Sequence, residues 1–316
     1  MPRPIVDTHI HLWKLPRTAP PMSDDSNFPT GCCGEIPWLE VDALMADYNR
    51  TIGGQRVDKI VVVESSGSTP PEKIIHSNRW MLDAAAADPK ILSVVGKLNP
   101  SQPVREFSRG LAALAADKRW VGLRIGSGVF LQEGEKSGER LQPNVLENLA
   151  ALADRGLMLD TLGLDGHAVA AIARAVPGLT IVMNHFAQKP PSLNVEDGWR
   201  SAMQAVAGAP AVCIKVSDIH RLSSTEQGGQ WPTQFTPLSE PARYVSVLDT
   251  LYDLFGPERL IFGSNWPVSN VAGLGVDSVN VQIDILESYL AGKGEANRDA
   301  VMHDNALRIY SPRTGQ

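Results

Sequence analysis

A chain of 316 residues, 43% hydrophobic and 20% charged, is long enough to bury a large core, and it suits one large α/β domain or two small ones. A net charge of −6 with no basic run argues against a nucleic-acid partner, and no apolar stretch reaches the ~18 residues of a membrane span. Three cysteines, an odd number, argue against a disulfide framework; with no charged-then-apolar leader at the start, Cys32, Cys33 and Cys213 read as free thiols in a cytoplasmic compartment.

The first predicted strand, Pro4–His9, runs into Val6-Asp7-Thr8-His9-Ile10-His11. Side chains two apart on a strand share a face, so His9 and His11 converge on one point. They then serve as two metal ligands, as two polar groups of a catalytic pocket, or as plain half-exposed histidines. A long connection follows over 14–39, with Trp13 at its base and Phe28, Cys32, Cys33 and Trp38 along it. Next come a helix over Glu40–Thr51, a strand over Lys59–Glu64, a helix over Glu72–Ala87 and a strand over Leu92–Leu98. Helix Val104–Asp117, strand Trp120–Ile125, helix Asn144–Arg155, strand Leu157–Thr161 and helix Gly166–Ala175 continue the alternation. Strand Thr180–His185, helix Glu196–Ala207 and strand Val212–Ser217 lead to a second long connection, 218–238, which carries His220, Arg221, Trp231 and Phe235. Helix Glu240–Phe255, strand Leu260–Gly263, helix Asp277–Ala291 and a closing helix Arg298–Ile309 complete the pattern.

Strands such as Ile60-Val61-Val62-Val63 are apolar throughout, as strands covered on both faces must be. Eight strand–helix units predict a (β/α)8 TIM barrel, one α/β domain over 1–316 with long loops after strands one and seven. An open doubly wound sheet would usually carry a glycine-rich phosphate turn after its first strand, and none is present. Both long loops leave the carboxyl ends of strands, where barrel active sites are built; their aromatics form a lid or pack on the rim. The strand ends supply His9 and His11, Glu64, Lys97 and Asn99, Arg124, Asp160 and Thr161, Asn184 and His185, Lys215, Ser217 and Asp218, and Ser264 and Asn265. Buried charges are costly unless paired or functional, so this ring is the candidate site. Glu64, His220 and Trp13 fall where substrate would lie, and Arg124 with Lys215 suggests a substrate bearing carboxylate. Asp7 either orients a histidine ring or ends its strand with a hydrogen bond. His76, His167 and His303 read as packing or surface residues.

Several pieces together resemble a known family: Val-Asp-Thr-His-Ile-His-Leu-Trp at 6–13, Val-Gly-Leu-Arg at 121–124, Asn-His-Phe-Ala-Gln-Lys-Pro at 184–190, Ile-Lys-Val-Ser at 214–217, Phe-Gly-Ser-Asn-Trp-Pro-Val at 262–268 and Asn-Ala-Leu-Arg-Ile-Tyr at 305–310. The chain resembles the amidohydrolase superfamily, in its branch of lactonases for 2-pyrone-4,6-dicarboxylate, 4-sulfomuconolactone and sugar lactones. The resemblance implies hydrolysis of a small lactone by an activated water, with His9, His11, His185 and position 265 catalytic. It also implies Arg124 as the residue that meets substrate carboxylate or carbonyl oxygen, and a basic residue at Lys215. No partner beyond the lactone is expected; a homo-oligomer is compatible.

One departure stands out. The family's eighth strand ends Gly-Ser-Asp-Trp-Pro, with aspartate as general base, and here the position is Asn265. An amide cannot act as base near neutral pH. Three readings are open: an engineered replacement that traps ligand, a natural enzyme in which Asn265 holds the water while His185, Asp218 or His220 takes its proton, or a protein that has lost hydrolysis. The resemblance leaves the cofactor open between none and one divalent ion. A single Zn²⁺ would use His9 and His11 with His185 or Glu64, whereas Arg124, at the position of the superfamily's bridging lysine, cannot be a ligand. The alternatives to a lactonase are a metal-dependent decarboxylase of an aromatic acid and a catalytically silent binding protein.

Overall fold

The structure, a computed structural model, describes residues 4–14, 42–53, 56–65, 73–126, 142–163, 165–189, 192–224, 238–270 and 278–314. Phe28, Cys32, Cys33, Trp38, Pro190, Trp231 and Phe235 lie outside the described residues.

Apolar β-branched runs form the strands, as their fit to a pleated, covered surface requires. They are β1 (Ile5–Ile10), β2 (Val57–Val63), β3 (Ile91–Gly96), β4 (Trp120–Gly126), β5 (Met158–Leu162), β6 (Ile181–Met183), β7 (Val212–Ser217) and β8 (Leu260–Gly263). The eight pair in sequence order, each parallel to the next. Beside β8 the edge of β1 is closed by Asn265 N–H donating to the His9 carbonyl (2.7 Å) and His11 N–H to that of Trp266 (2.8 Å). The helices α1 (Met45–Ile52), α2 (Ile74–Ala87), α3 (Val104–Ala115), α4 (Pro143–Ala153) and α5 (Gly166–Ala175) begin the outer ring, which Asp197–Ala207, Val245–Phe255 and Ser278–Ala291 continue. This is the expected TIM barrel.

Two apolar clusters follow from the alternation of side chains. Ile60, Val62, Val94 and Leu123 face the helices. Val6, Val61, Val63, Val95, Met158, Val182, Cys213 and Ile261 pack in the interior with Ala306 and Tyr310 of the closing helix. The chain's last helix thus plugs the amino-terminal end of the barrel.

Three expectations are corrected in detail. The sixth strand stops at Met183, because His185, Phe186 and Ala187 all adopt positive φ (51°, 55° and 55°) and leave the sheet. The first helix starts at Met45 rather than Glu40. The closing helix is three pieces, Glu295–Asp299, a π turn over Ala300–Asp304, and Asn305–Tyr310.

Candidate active site

The mouth of the barrel is organised by Asp7. Its carboxylate, fully buried, accepts the backbone N–H of His9 (3.1 Å) and of Ser264 (2.8 Å) and the hydroxyl of Tyr48 (2.8 Å). Burial raises its pKa, and these donors oppose the rise. Asp7 therefore ends its strand with backbone bonds and does not orient a histidine ring. A register shift between Asp7 and Ile10 turns the strand end. Gly263 lies so close that a Cβ there would come 2.8 Å from that of His9, so only glycine lets the first and last strands meet at this height.

The imidazoles converge as the His-x-His spacing predicts. The His9 and His11 rings meet edge to face at 4.9 Å, and those of His9 and His185 at 4.6 Å. His9 Nε2 and His11 Nε2 are 3.2 Å apart, and His11 Nε2 is 3.1 Å from Asn265 Oδ1. His11 Nδ1 is 2.9 Å from the Val63 carbonyl, which can only accept, so Nδ1 carries the proton and Nε2 a lone pair. Burial, and next the Arg124 charge, holds the pKa of His11 down to about 3. Burial likewise lowers those of His9 and His185, with Lys215 the next cause for His9 and Arg221 for His185. All three rings are neutral near pH 7. His9 Nδ1 is buried without a hydrogen bond among the described residues.

Arg124, Arg221 and Lys215 each have a carboxylate of their own. Arg124 Nε donates to Glu64 Oε1 (2.9 Å) and Nη2 to the Glu64 carbonyl, which leaves Nη1 directed at His9 Nε2 (3.4 Å). Arg221 Nε lies 3.1 Å from Asp218 Oδ2, and the Ser269 hydroxyl donates to Asp218 Oδ1 (2.6 Å). Deeper, Lys215 Nζ donates to Asp160 Oδ2 (2.8 Å) and to the Thr8 carbonyl (3.2 Å), while Tyr310 donates to Asp160 Oδ1 (3.0 Å). Lys215 is wholly buried and engaged by these acceptors.

The family model for amidohydrolases matches residues 6–311. The chain belongs to the amidohydrolase family. An L-fucono-1,5-lactonase of Burkholderia ambifaria is 27% identical over 275 residues, 85% of this chain and 82% of that one. Among solved structures, an amidohydrolase of Burkholderia multivorans with bound HEPES superimposes with a TM-score of 0.72 at 21% identity, covering 98% of this chain and 99% of that one. The same protein with bound zinc gives 0.71 at 21% identity and the same coverage. A 2,6-dihydroxybenzoate decarboxylase, complexed with 2,6-dihydroxybenzoate, gives 0.57 at 13% identity, covering 98% and 99%. At such identities the structural likenesses show the fold alone.

Does this amidohydrolase offer a divalent ion a site? The 3.2 Å between the two Nε2 atoms is close to the ~3.3 Å that two imidazoles span on tetrahedral zinc at about 2.0–2.1 Å. The rest of the set does not fit. Among the described residues no three His, Cys, Asp or Glu side chains converge to hold a metal. Glu64 is engaged by Arg124, and position 265 supplies a neutral amide. The Arg124 guanidinium, 3.4 Å from His9 Nε2, would repel the ion.

The other expected site residues scatter. His220 is fully buried with Nε2 on the Ser269 carbonyl (2.8 Å). Trp13 is buried, its backbone paired with Ala43. His303, read from sequence as a packing or surface residue, sits beside Asp304. Sequence reasoning missed the supporting roles of the Val63 carbonyl, Ser217 and Tyr310. Ser217 had a signal, two residues after Lys215 at a strand end. The pairing of Tyr310 with Asp160, 150 positions apart, had none.

Proposed function

We propose that this amidohydrolase hydrolyses the ester bond of a small lactone without a resident metal, and that the lactone carries hydroxyl groups rather than carboxylates. The observation that carries the reading is the juxtaposition of a lone-pair nitrogen, His11 Nε2, and the neutral Asn265 amide with a guanidinium edge, Arg124 Nη1, across His9. A water held by the Asn265 amide and donating to His11 Nε2 has a lone pair aimed at a carbonyl whose oxygen rests on Arg124 Nη1.

The attack forms a C–O bond while the water proton passes to His11 Nε2. The resulting imidazolium keeps its Nδ1–H on the Val63 carbonyl. The developing oxyanion faces Arg124, a donor already fixed by Glu64, as preorganised stabilisation requires. Its negative charge also raises the affinity of His11 for the proton, which the resting site holds low. Collapse breaks the ring C–O bond, and His11 returns the proton to the leaving oxygen. Asn265 positions the water and takes no proton, which supports the natural-asparagine reading. Of the other bases, Asp218 is tied to Arg221 and Ser269, and His220 Nε2 is tied to the Ser269 carbonyl.

Charge balance favours the hydroxylated substrate. Arg124, Arg221 and Lys215 each face a carboxylate of their own, and the imidazoles and Asn265 are neutral, so none of these three cations is left over for a substrate carboxylate. The relative named L-fucono-1,5-lactonase agrees with this. The same balance weighs against decarboxylation of an aromatic acid.

A pH-indicator assay over neutral sugar lactones and carboxylated lactones, before and after chelation, tests the reading. Turnover of neutral lactones that survives chelation is expected. Loss on chelation with recovery on Zn²⁺ overturns the metal-free part, and no hydrolysis of any lactone overturns the whole.

A further inference from the structure

We propose that Ser217 is a positioning residue that fixes the His185 imidazole with its proton on Nε2, so that His185 meets the substrate as a hydrogen-bond donor. Ser217 ends β7 and is fully buried. Its Oγ accepts the backbone N–H of His185 (3.2 Å) and lies 2.9 Å from His185 Nδ1. Two proton arrangements are possible across the second bond. If Nδ1 carried the proton, both donors would point at Oγ. The serine hydroxyl proton would then have no acceptor among the described residues, a buried loss of about 1–3 kcal/mol. If the hydroxyl donates to Nδ1, the serine hydroxyl, Nδ1 and the backbone N–H are all paired, and the ring proton resides on Nε2.

The backbone is shaped for this grip. His185 has φ 51°, the first of three consecutive left-handed residues, and that turn brings its own N–H and its ring nitrogen onto one oxygen. A left-handed stretch costs about 1–2 kcal/mol per L-residue, and the double bond to Ser217 helps to offset it. Phe186 is held from its far side, where Trp199 Nε1 donates to its carbonyl (2.9 Å).

The consequence is a division of labour between two neutral rings. Val63 holds the His11 proton on Nδ1, which leaves Nε2 as an acceptor. Ser217 holds the His185 proton on Nε2, which makes that nitrogen a donor. His185 Nε2 has no hydrogen bond among the described residues and is left for the substrate. There it supplies a second donor, beside Arg124 Nη1, to the carbonyl oxygen. This last step rests on the lactonase reading; the tautomer does not.

Long-range ¹H–¹⁵N spectra of the ¹⁵N-histidine-labelled full chain read the tautomer with no substrate present. The expected result is His185 protonated at Nε2 and bare at Nδ1 in the wild type. In Ser217→Ala the two tautomers mix, and kcat on a neutral lactone falls on the order of 10-fold to 100-fold, below the full cost of deleting an oxyanion donor, with KM nearly unchanged. Ser217→Thr, which keeps the hydroxyl, restores the Nε2–H signature and most of kcat. A wild-type spectrum with the proton on Nδ1 overturns the assignment, as does a Ser217→Ala spectrum identical to wild type. Should Ser217→Ala fail to fold, the wild-type spectrum decides alone. A correct tautomer with no lactone hydrolysed would sink the lactonase reading and leave the assignment to Ser217 standing.

Discussion

Two buried ion pairs stand side by side in the barrel, Arg124 and Asp160 being register partners on β4 and β5, and they do different things. Lys215–Asp160 is sealed: each side chain is 0% exposed, Lys215 also donates to the Thr8 carbonyl, and Asp160 also accepts the Tyr310 hydroxyl. Arg124–Glu64 is 7% exposed on both sides and unsaturated, with Nη1 turned to His9 and the mouth. What separates a supporting pair from a working one is the donor left without a carboxylate.

The comparison can be broken most forcefully at the floor. Lys215→Met leaves Asp160 buried without its cation and should lower unfolding free energy by about 3–5 kcal/mol, read as a lower urea midpoint. Adding Asp160→Asn should recover part of the loss; an unchanged midpoint in the single variant would show that the pair supports nothing. At the rim, Arg124→Met should reduce kcat/KM on neutral lactones by about 10²–10³, the loss expected for one oxyanion donor. If carboxylated lactones suffer selectively, Arg124 reads a substrate carboxylate instead. Asn265→Ala removes only the water's second acceptor and should lower kcat by a smaller factor, on the order of tenfold, with KM little changed.

Acid separates the two levels in another way. The buried histidines His9, His11, His185 and His220 have folded pKa values below the ordinary 6.5. As pH falls below about 6.5 the unfolded chain takes up protons that the folded one refuses, so stability declines. For His11 the decline runs down to about pH 3. Urea midpoints should therefore fall between pH 7.5 and pH 4.5, and less steeply in His11→Gln; equal slopes would show that His11 is not held neutral. The smallest effect is expected at Ala187 (φ 55°), where Ala187→Gly should raise stability by about 0.5–1 kcal/mol after the entropy of glycine is subtracted.

The upper level was far more legible in sequence than the lower. Period-two spacing brings His9 and His11 together whatever the rest of the chain does, and eight apolar runs between helical stretches leave little choice but a barrel. Arg124 and His185 follow because the sequence pattern places them near the carboxyl ends of its predicted strands. Lys215 reads as a substrate-binding cation because a strand-end lysine displays its charge but not its partner. Asp160 is 55 positions away, on a strand that meets β7 only through the curvature of the closed sheet. The left-handed turn after β6 was hidden for a related reason. His185, Phe186 and Ala187 carry no glycine to announce positive φ, and tertiary bonds from Ser217 and Trp199 impose it.

The bond between Asp7 and Ser264 spans 257 positions, and that between Asp160 and Tyr310 spans 150. A ribosome making this protein exposes Asp7 and Asp160 long before either partner has left the exit tunnel. The nascent chain can lay down β2 through β7 with their helices as each emerges, but the two carboxylates wait half-paired in water. The histidine cluster is therefore a late acquisition: it takes its shape when the final strand and closing helix arrive, and intermediates that precede them bind no substrate.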